Sequence, residues 1–172
     1  MKKFLIWTSS LLLALVVLLA LSPMLIYWWG LSNLDNPPVP SQLELTSEQQ
    51  CQLWEHAGEV GEPDIHKLNP YSYIALLMCV SEQGIRSDTC RSEYSGARIS
   101  SLSIRWPVAD RVHGQGTTVR KSAQLAYAIW VTQNWSKEEV IATYYDSCRI
   151  RLLDRPASMI KKHCGLEPLD AH

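Results

Sequence analysis

The chain has 172 residues, a mass of 19.5 kDa and a formal net charge of −1, with 47% hydrophobic and 19% charged residues. A net charge this close to zero gives no indication of a basic surface for nucleic acid, whose binding proteins concentrate lysine and arginine on one face. The apolar fraction excludes a largely disordered chain, and the length allows one domain rather than two.

The N-terminal segment, residues 1–30, predicts a membrane anchor. Positions 4–34 carry no charged residue, and about 20 apolar residues are enough to cross the hydrocarbon layer. Lys2 and Lys3 precede this run and predict that the N-terminus stays in the cytoplasm, while aromatic residues at both ends of the run suit the two membrane interfaces. A signal peptide cleaved among the small residues just before Pro23 is the alternative, although the apolar run is long for one. We expect an uncleaved, single-pass anchor.

The segment after the anchor, residues 31–45, predicts a linker. It contains Asp35-Asn-Pro-Pro-Val-Pro40, and proline-rich segments are stiff and extended. We therefore expect it to lift the remaining part, residues 46–172, off the membrane surface.

The cysteines agree with export to an oxidising space, because all five follow the anchor: Cys51, Cys79, Cys90, Cys148 and Cys164. Five is an odd number, so one thiol is left over. Local spacing favours Cys79 with Cys90 and Cys148 with Cys164, although sequence alone does not fix the connectivity. Cys51 is then free, either as a buried small hydrophobe, which we expect, or in an intermolecular bridge. The histidines are scattered, so no metal site is expected.

The start of the body predicts two helices. Thr46 and Gln49 have the spacing of a capping box, and Gly58 is a stop signal, so a helix is expected between them. Asn69-Pro70 predicts a second start, since asparagine is a good N-cap and proline suits the first helical position. This second helix, from Tyr71 to about Gln83, is apolar on every face, which predicts the central buried helix of the domain.

Glu82 lies at the end of that apolar segment. A carboxyl group at the mouth of an apolar pocket has a raised pKa, which proton-transfer catalysis needs. The alternative is an exposed glutamate beside a helix-ending residue, Gly84.

The second half of the body predicts a helical hairpin. Residues 86–117 give a weak signal, and we expect only short turns and loops there, with Pro107 ending any helix that precedes it. Apolar residues from Val119 to Thr132 recur with helical spacing. After a turn, Ser136 and Glu139 form a second capping box that opens another helix.

The hairpin resembles the peptidoglycan glycosyltransferases of glycosyltransferase family 51, the monofunctional biosynthetic transglycosylases. That family has an Arg-Lys-x-x-Glu helix, a Tyr/Trp-Ser-Lys turn and an Ile-Leu-x-x-Tyr-Leu-Asn helix. The matching segments here are Val119-Arg-Lys-x-x-Gln124, Trp135-Ser-Lys137, Val140-Ile141 and Tyr144-Tyr-Asp146. In this frame Ser81-Glu82-Gln83 falls where the family has Ser/Ala-Glu-Asp, and Gly96-Ala97 falls near the start of its Gly-Gly/Ala-Ser-Thr-Ile-x-Gln-Gln segment.

The resemblance implies a mainly α, lysozyme-like domain on the periplasmic side of a bacterial inner membrane. It implies that Glu82 is the candidate general base and that Arg120, Lys121 and position 124 line the substrate groove. The implied partners are the bilayer, lipid II, peptidoglycan strands or a cell-wall synthase. No cofactor is implied, apart from a divalent cation if glycosyl transfer survives.

Departures from the family pattern predict that glycosyl transfer is lost. The second catalytic carboxylate is replaced by Gln124, which cannot exchange a proton. The Asp of the signature is Gln83, the family's Phe-x-x-His-x-Gly-x-Asp continuation is absent, and Arg98-Ile-Ser-Ser-Leu-Ser103 lacks the glutamine pair. Losing one member of a catalytic set that acts as a unit costs orders of magnitude in rate. A bridge between Cys79 and Cys90 is expected to order this shortened region.

Three functions therefore remain. The first is non-catalytic binding of peptidoglycan strands, lipid II or a synthase in the inherited groove. The second is a surviving glycosyltransferase with Glu82 as base, in which Asp88, Glu93 or Asp110 replaces the missing carboxylate. The third is an interaction scaffold that binds partners through residues 149–155.

Overall fold

The computed structural model describes residues 2–84, 87–152 and 155–166, with side chains from residue 7 onward except at position 157. Every regular element in these ranges is a helix, as predicted for a mainly α protein. The elements are α1 (Lys2–Leu31), α2 (Ser47–Ala57), α3 (Pro70–Gln83), α4 (Asp88–Glu93), α5 (Ala97–Arg111), α6 (Thr117–Asn134), α7 (Lys137–Arg151) and α8 (Ala157–Cys164).

Helix α1, the predicted anchor, is continuous although it contains a proline. Within it, Trp7–Leu31 is long and apolar enough to cross a membrane. Pro23 has no N–H to offer the carbonyl of Leu19, four residues earlier. The hydroxyl of Ser22 donates a hydrogen bond of 2.8 Å to that carbonyl instead, so the helix passes the proline without an unpaired acceptor.

The end of α1 packs directly against α6 of the body. A Cβ added at Gly30 would lie 2.4 Å from the carbonyl oxygen of Ser122 and 2.6 Å from the Cβ of Ala126. Small residues allow helix backbones to approach this closely. One turn further on, the hydroxyl of Tyr127 donates to the carbonyl of Leu31 at 3.2 Å. The anchor is therefore part of the fold.

The proline-rich segment is not the free spacer that the sequence predicts. The segment runs along the body, where the N–H of Ser41 donates to the hydroxyl of Thr143 at 2.9 Å. The guanidinium of Arg111 donates to the carbonyls of Asn36 and Pro37. Because the body already packs on α1, the segment connects two parts that touch and does not hold them apart.

Helices α5, α6 and α7 form the core, and α2 and α8 pack on α7. Both predicted capping boxes are present, at Thr46 and at Ser136, and the predicted hairpin is α6 with α7. The largest fully buried side chains belong mainly to these helices: Leu53, Trp54, Ile99, Ile104, Ile129, Ile141 and Tyr145.

The expectation that α3 is the central buried helix is wrong. Its N-cap Asn69 and first residue Pro70 are as predicted, but only one side of the helix packs inward. Tyr73 and Leu76 on that side pack against the cluster of buried residues that contains Tyr27. The opposite side is exposed, because the core is already filled by helices α5, α6 and α7.

Residues 97–111 form one helix, although we expected loops ended by Pro107. A proline inside a helix leaves the carbonyl four residues earlier without a donor, here that of Ser103. The hydroxyl of Ser147 on α7 donates to this carbonyl at 3.2 Å. A partner from another helix thus removes the penalty that the local sequence predicts.

Both expected disulfides are present. Cys79 is bonded to Cys90 and Cys148 to Cys164. The free thiol is that of Cys51, as expected, but its side chain is exposed. Its assignment as a buried small hydrophobe is therefore wrong, and an intermolecular bridge stays a prediction.

Candidate functional site

A groove lies between α3, α5 and α6, next to the end of the anchor. It has a volume of about 320 Å³. Its polar side holds the side chains of Arg105, Lys121 and Gln124, and its apolar side is formed by Tyr73, Leu77, Leu102 and Leu125. The backbone of Lys121 lies near the end of α1, because Lys121 precedes Ser122, the residue against which Gly30 packs.

The groove continues into a second, more polar recess of about 260 Å³. This recess shares Arg105, Lys121 and Gln124 with the groove and adds Arg120 and Trp106. The Arg105 guanidinium carbon lies 5.0 Å from the centre of the Trp106 ring, so it also contacts an aromatic face. We call the two together the cationic groove.

Three of its residues carry positive charge. Arg105, Arg120 and Lys121 are exposed, and none of them makes an ion pair in the part of the chain that the structure describes. No carboxylate is among the described residues that line the cationic groove. An anion that entered it would meet guanidinium and ammonium donors without displacing an internal partner.

Gln124 is held by a contact that a glutamate could not make. Its side-chain amide donates a hydrogen bond of 3.0 Å to the backbone carbonyl of Arg105. An ionised carboxylate can only accept hydrogen bonds, so it would repel that oxygen. The amide therefore joins α6 to α5 beside the proline-containing turn, which is a structural role for this residue.

The structure does not bring Glu82 together with Gln124. Gln124 lines the cationic groove, but Glu82 is exposed near the C-terminus of α3 and is not among the lining residues. The helix ends at Gly84, whose N–H donates to the carbonyl of Val80. Of the two sequence interpretations, an exposed glutamate beside a helix end matches this position.

The acidic residues offered as substitutes for the missing carboxylate lie outside the groove. Asp110 accepts a 2.7 Å hydrogen bond from Arg151, and Asp88 lies 3.9 Å from Arg91. Glu93 is exposed. The described residues that line the cationic groove include none of the three.

The sequence analysis missed a buried carboxylate at Glu59. Its side chain is 6% exposed, and one of its oxygens accepts hydrogen bonds from the N–H groups of Arg98 and Ile99, at 2.9 and 3.0 Å. Burial raises the pKa of Glu59 above its ordinary value of 4.5, while these N–H donors and the Arg98 charge act in the opposite direction. The N-cap residue of α5, Gly96, has no side chain that could accept hydrogen bonds from the first N–H groups of the helix. The carboxylate of Glu59 accepts them instead, from another segment of the chain.

Glu59 also lines a third cavity of about 200 Å³, together with residues of α3, α4 and α5. Glu59 lies 37 positions before Gly96, so no local motif connects the two residues. The general preference of helix N-termini for acidic partners is the only signal that could have pointed to Glu59.

No group of three or more potential metal ligands occurs in the ranges the structure describes. In the segment 149–155, proposed above for partner binding, Arg149 pairs with Asp146 and Arg151 with Asp110. Residues 153–154 lie outside the described residues.

Comparison of the chain with protein-family models, with curated proteins and with solved structures finds no match. The resemblance to glycosyltransferase family 51 therefore stays an expectation from the motifs, and the functional argument depends on the geometry of the cationic groove.

Proposed function

We propose that the protein is a non-catalytic, single-pass membrane receptor that binds lipid II, the lipid-pyrophosphate precursor of peptidoglycan, on the periplasmic side of the bacterial inner membrane. The observation that carries the proposal is the cationic groove, which combines Arg105, Arg120 and Lys121 with an apolar side formed by α3, α5 and α6 beside the anchor.

The chemistry of the groove suits a pyrophosphate. Arginine and lysine are the usual donors to phosphate oxygens, and arginine can donate two parallel hydrogen bonds. Arg120 and Lys121 follow an N-cap, Gly116, that has no side-chain hydrogen bond. The N–H groups of the first turn thus also favour negative charge there. The neighbouring apolar residues, such as Leu77 and Leu125, would accept the first part of a lipid chain.

Two features support binding without transfer. A transferase of the resembled family needs two carboxylates, and the described residues lining the cationic groove contain none. The position of the second carboxylate holds Gln124, whose amide is occupied by the carbonyl of Arg105. The proposal includes peptidoglycan strands and a cell-wall synthase as further binding partners of the protein, because a receptor for the precursor acts close to both.

The N-terminal sequence and the disulfides support the proposed orientation. Lys2 and Lys3 precede the apolar run and favour a cytoplasmic N-terminus. The two disulfides in the body favour an oxidising compartment. Together these features support a periplasmic domain.

The test measures binding of lipid II to the full-length chain in lipid nanodiscs. We expect binding by the wild type and a Kd raised about 10- to 100-fold by Arg105→Ala or Lys121→Ala, since a hydrogen bond to a charged group contributes about 1.5–3 kcal/mol. Lys162→Ala on α8 is the matched control, because this exposed lysine lies outside the groove.

Polymerisation of lipid II separates binding from catalysis. The proposal fails if the wild type forms glycan strands and Glu82→Gln abolishes this activity, because the protein would then be an enzyme. Polymerisation gained by Gln124→Glu would identify position 124 as the site of the lost carboxylate. Absence of binding to both lipid II and glycan strands would favour the scaffold function instead.

A further inference from the structure

The exposed side of α3 is apolar. Tyr71, Ile74, Leu77 and Met78 are between 40 and 59% exposed. Positions 71, 74, 75 and 78 have the i, i+3, i+4, i+7 spacing that places residues on one side of a helix, and Leu77 borders them. No charged residue occurs from Pro70 to Ser81. We call this surface the α3 apolar face.

A hydrogen bond fixes the height of this face relative to the anchor. The hydroxyl of Tyr71 donates to the carbonyl of Ala20 in α1 at 2.9 Å. Ala20 lies inside the apolar span Trp7–Leu31. The start of α3 therefore lies beside the anchor and below its outer end.

The depth can be worked out from helix geometry. Trp7 and Trp28 are 21 residues apart, about 32 Å along the helix at 1.5 Å per residue, which matches a hydrocarbon layer of about 30 Å. If these tryptophans mark the two interfaces, as is usual for tryptophan, Ala20 lies about 12 Å below the outer one. The Tyr71 hydroxyl is then inside the hydrocarbon. Tyr73 and Leu76 of α3 pack against the cluster that contains Tyr27, the residue before Trp28, so this part of α3 lies near the outer interface.

The polar groups near α3 fit this position. The only polar side-chain atom of Tyr71 is paired with the anchor backbone, as the absence of water in a bilayer requires. The charged residues that flank the helix, Lys67 and Glu82, are exposed at its two ends. A long lysine side chain can extend from such a position to the headgroups.

We propose that α3 is a second membrane-contacting element, an interfacial helix whose apolar face lies in the outer leaflet beside α1. Helices of this kind bury their apolar side about 5–10 Å into the boundary between headgroups and acyl chains. The bulk lipid is the occupant of the α3 apolar face, because the face continues the lipid-exposed surface of α1. This inference does not depend on what binds in the cationic groove.

The experiment measures the depth of a fluorescent label in full-length protein reconstituted into phosphatidylglycerol and phosphatidylethanolamine vesicles. Bimane is attached at Ile74→Cys in a Cys51→Ser background. The matched control is Ile150→Cys, the same residue type at a position that is 56% exposed, against 40% for Ile74, on α7, which packs on α5. Lipids brominated near the top of the acyl chains quench from the bilayer, and iodide quenches from water.

We expect the label at position 74 to be quenched by brominated lipid and protected from iodide, and the label at position 150 to behave in the opposite way. Iodide quenching at position 74 equal to that at position 150 would overturn the proposal. Protection at position 74 from both quenchers would also overturn it, because another protein surface would then cover the face. If Ile74→Cys does not fold, Ala75→Cys, exposed on the same face, is read by the same criteria.

Discussion

Replacing Gly30 by alanine is predicted to loosen the body from its anchor. The added Cβ would lie 2.4 Å from the carbonyl oxygen of Ser122 and 2.6 Å from the Cβ of Ala126. Ordinary contact is about 3.5 Å, so α1 and α6 must separate by roughly 1 Å, which forfeits a quarter to a half of the dispersion energy across the contact. Overpacking of this kind costs about 1–3 kcal/mol, and the better helix propensity of alanine returns about 0.5–1 kcal/mol.

The assay is thermal unfolding of the full-length protein in detergent micelles, followed by tryptophan fluorescence. The middle of these ranges leaves a net loss of about 1 kcal/mol, which predicts a fall in Tm of roughly 2–4 °C for a chain of this length. Ser10→Ala is the control, because it also places alanine in α1 but at an exposed position. An unchanged or raised Tm for Gly30→Ala would refute the close packing of α1 on α6.

Three further predictions follow from single contacts. Because burial raises the pKa of Glu59, the folded state holds this proton more tightly than the unfolded state, so the group's contribution to stability is present below pH 4.5 and is lost as pH rises through the raised pKa. The free energy of unfolding across pH 4–7 should show this slope in the wild type and lose it in Glu59→Gln. An identical slope in the variant would contradict the assignment. Ser147→Ala leaves the buried carbonyl of Ser103 without its donor and should cost about 1–3 kcal/mol in denaturant unfolding. Ser92→Ala, at an exposed position of α4, should cost almost nothing. Cys51 is the free, exposed thiol, so a membrane-impermeant maleimide should label it in spheroplasts without permeabilisation; labelling only after permeabilisation would place the body in the cytoplasm.

The local signals of the sequence were reliable for helix starts and ends and for the disulfides. Thr46, Asn69 and Ser136 cap helices as predicted because capping is decided by a few neighbouring atoms. The failures depend on distant partners. Pro107 remains inside a helix because Ser147, forty positions later, donates to the carbonyl that the proline leaves free.

The position of α3 was mispredicted for a different reason. Composition indicates that a helix avoids water, but it does not distinguish a protein core from a bilayer, since both are apolar. Tyr71 connects α3 to the anchor, and this contact could not be inferred from two segments fifty positions apart. Arg120, Lys121 and Gln124, singled out in the sequence, all line the cationic groove, whereas Arg105 carried no recognisable motif. The buried Glu59, outside the groove, carried none either.

Packing of the body on the anchor has a consequence for ligand choice. A domain on a flexible linker samples many heights above a membrane, whereas Gly30 and Tyr127 hold this one at a single height. Lys121 lies next to the residue that contacts Gly30, and Gly30 follows the tryptophans expected at the outer interface. In the membrane placement proposed above, this part of the groove lies near the level of lipid phosphates. A soluble anion gains nothing from that height, but a phosphate attached to a lipid chain reaches the groove without leaving the bilayer, which favours a lipid-linked ligand over a free one.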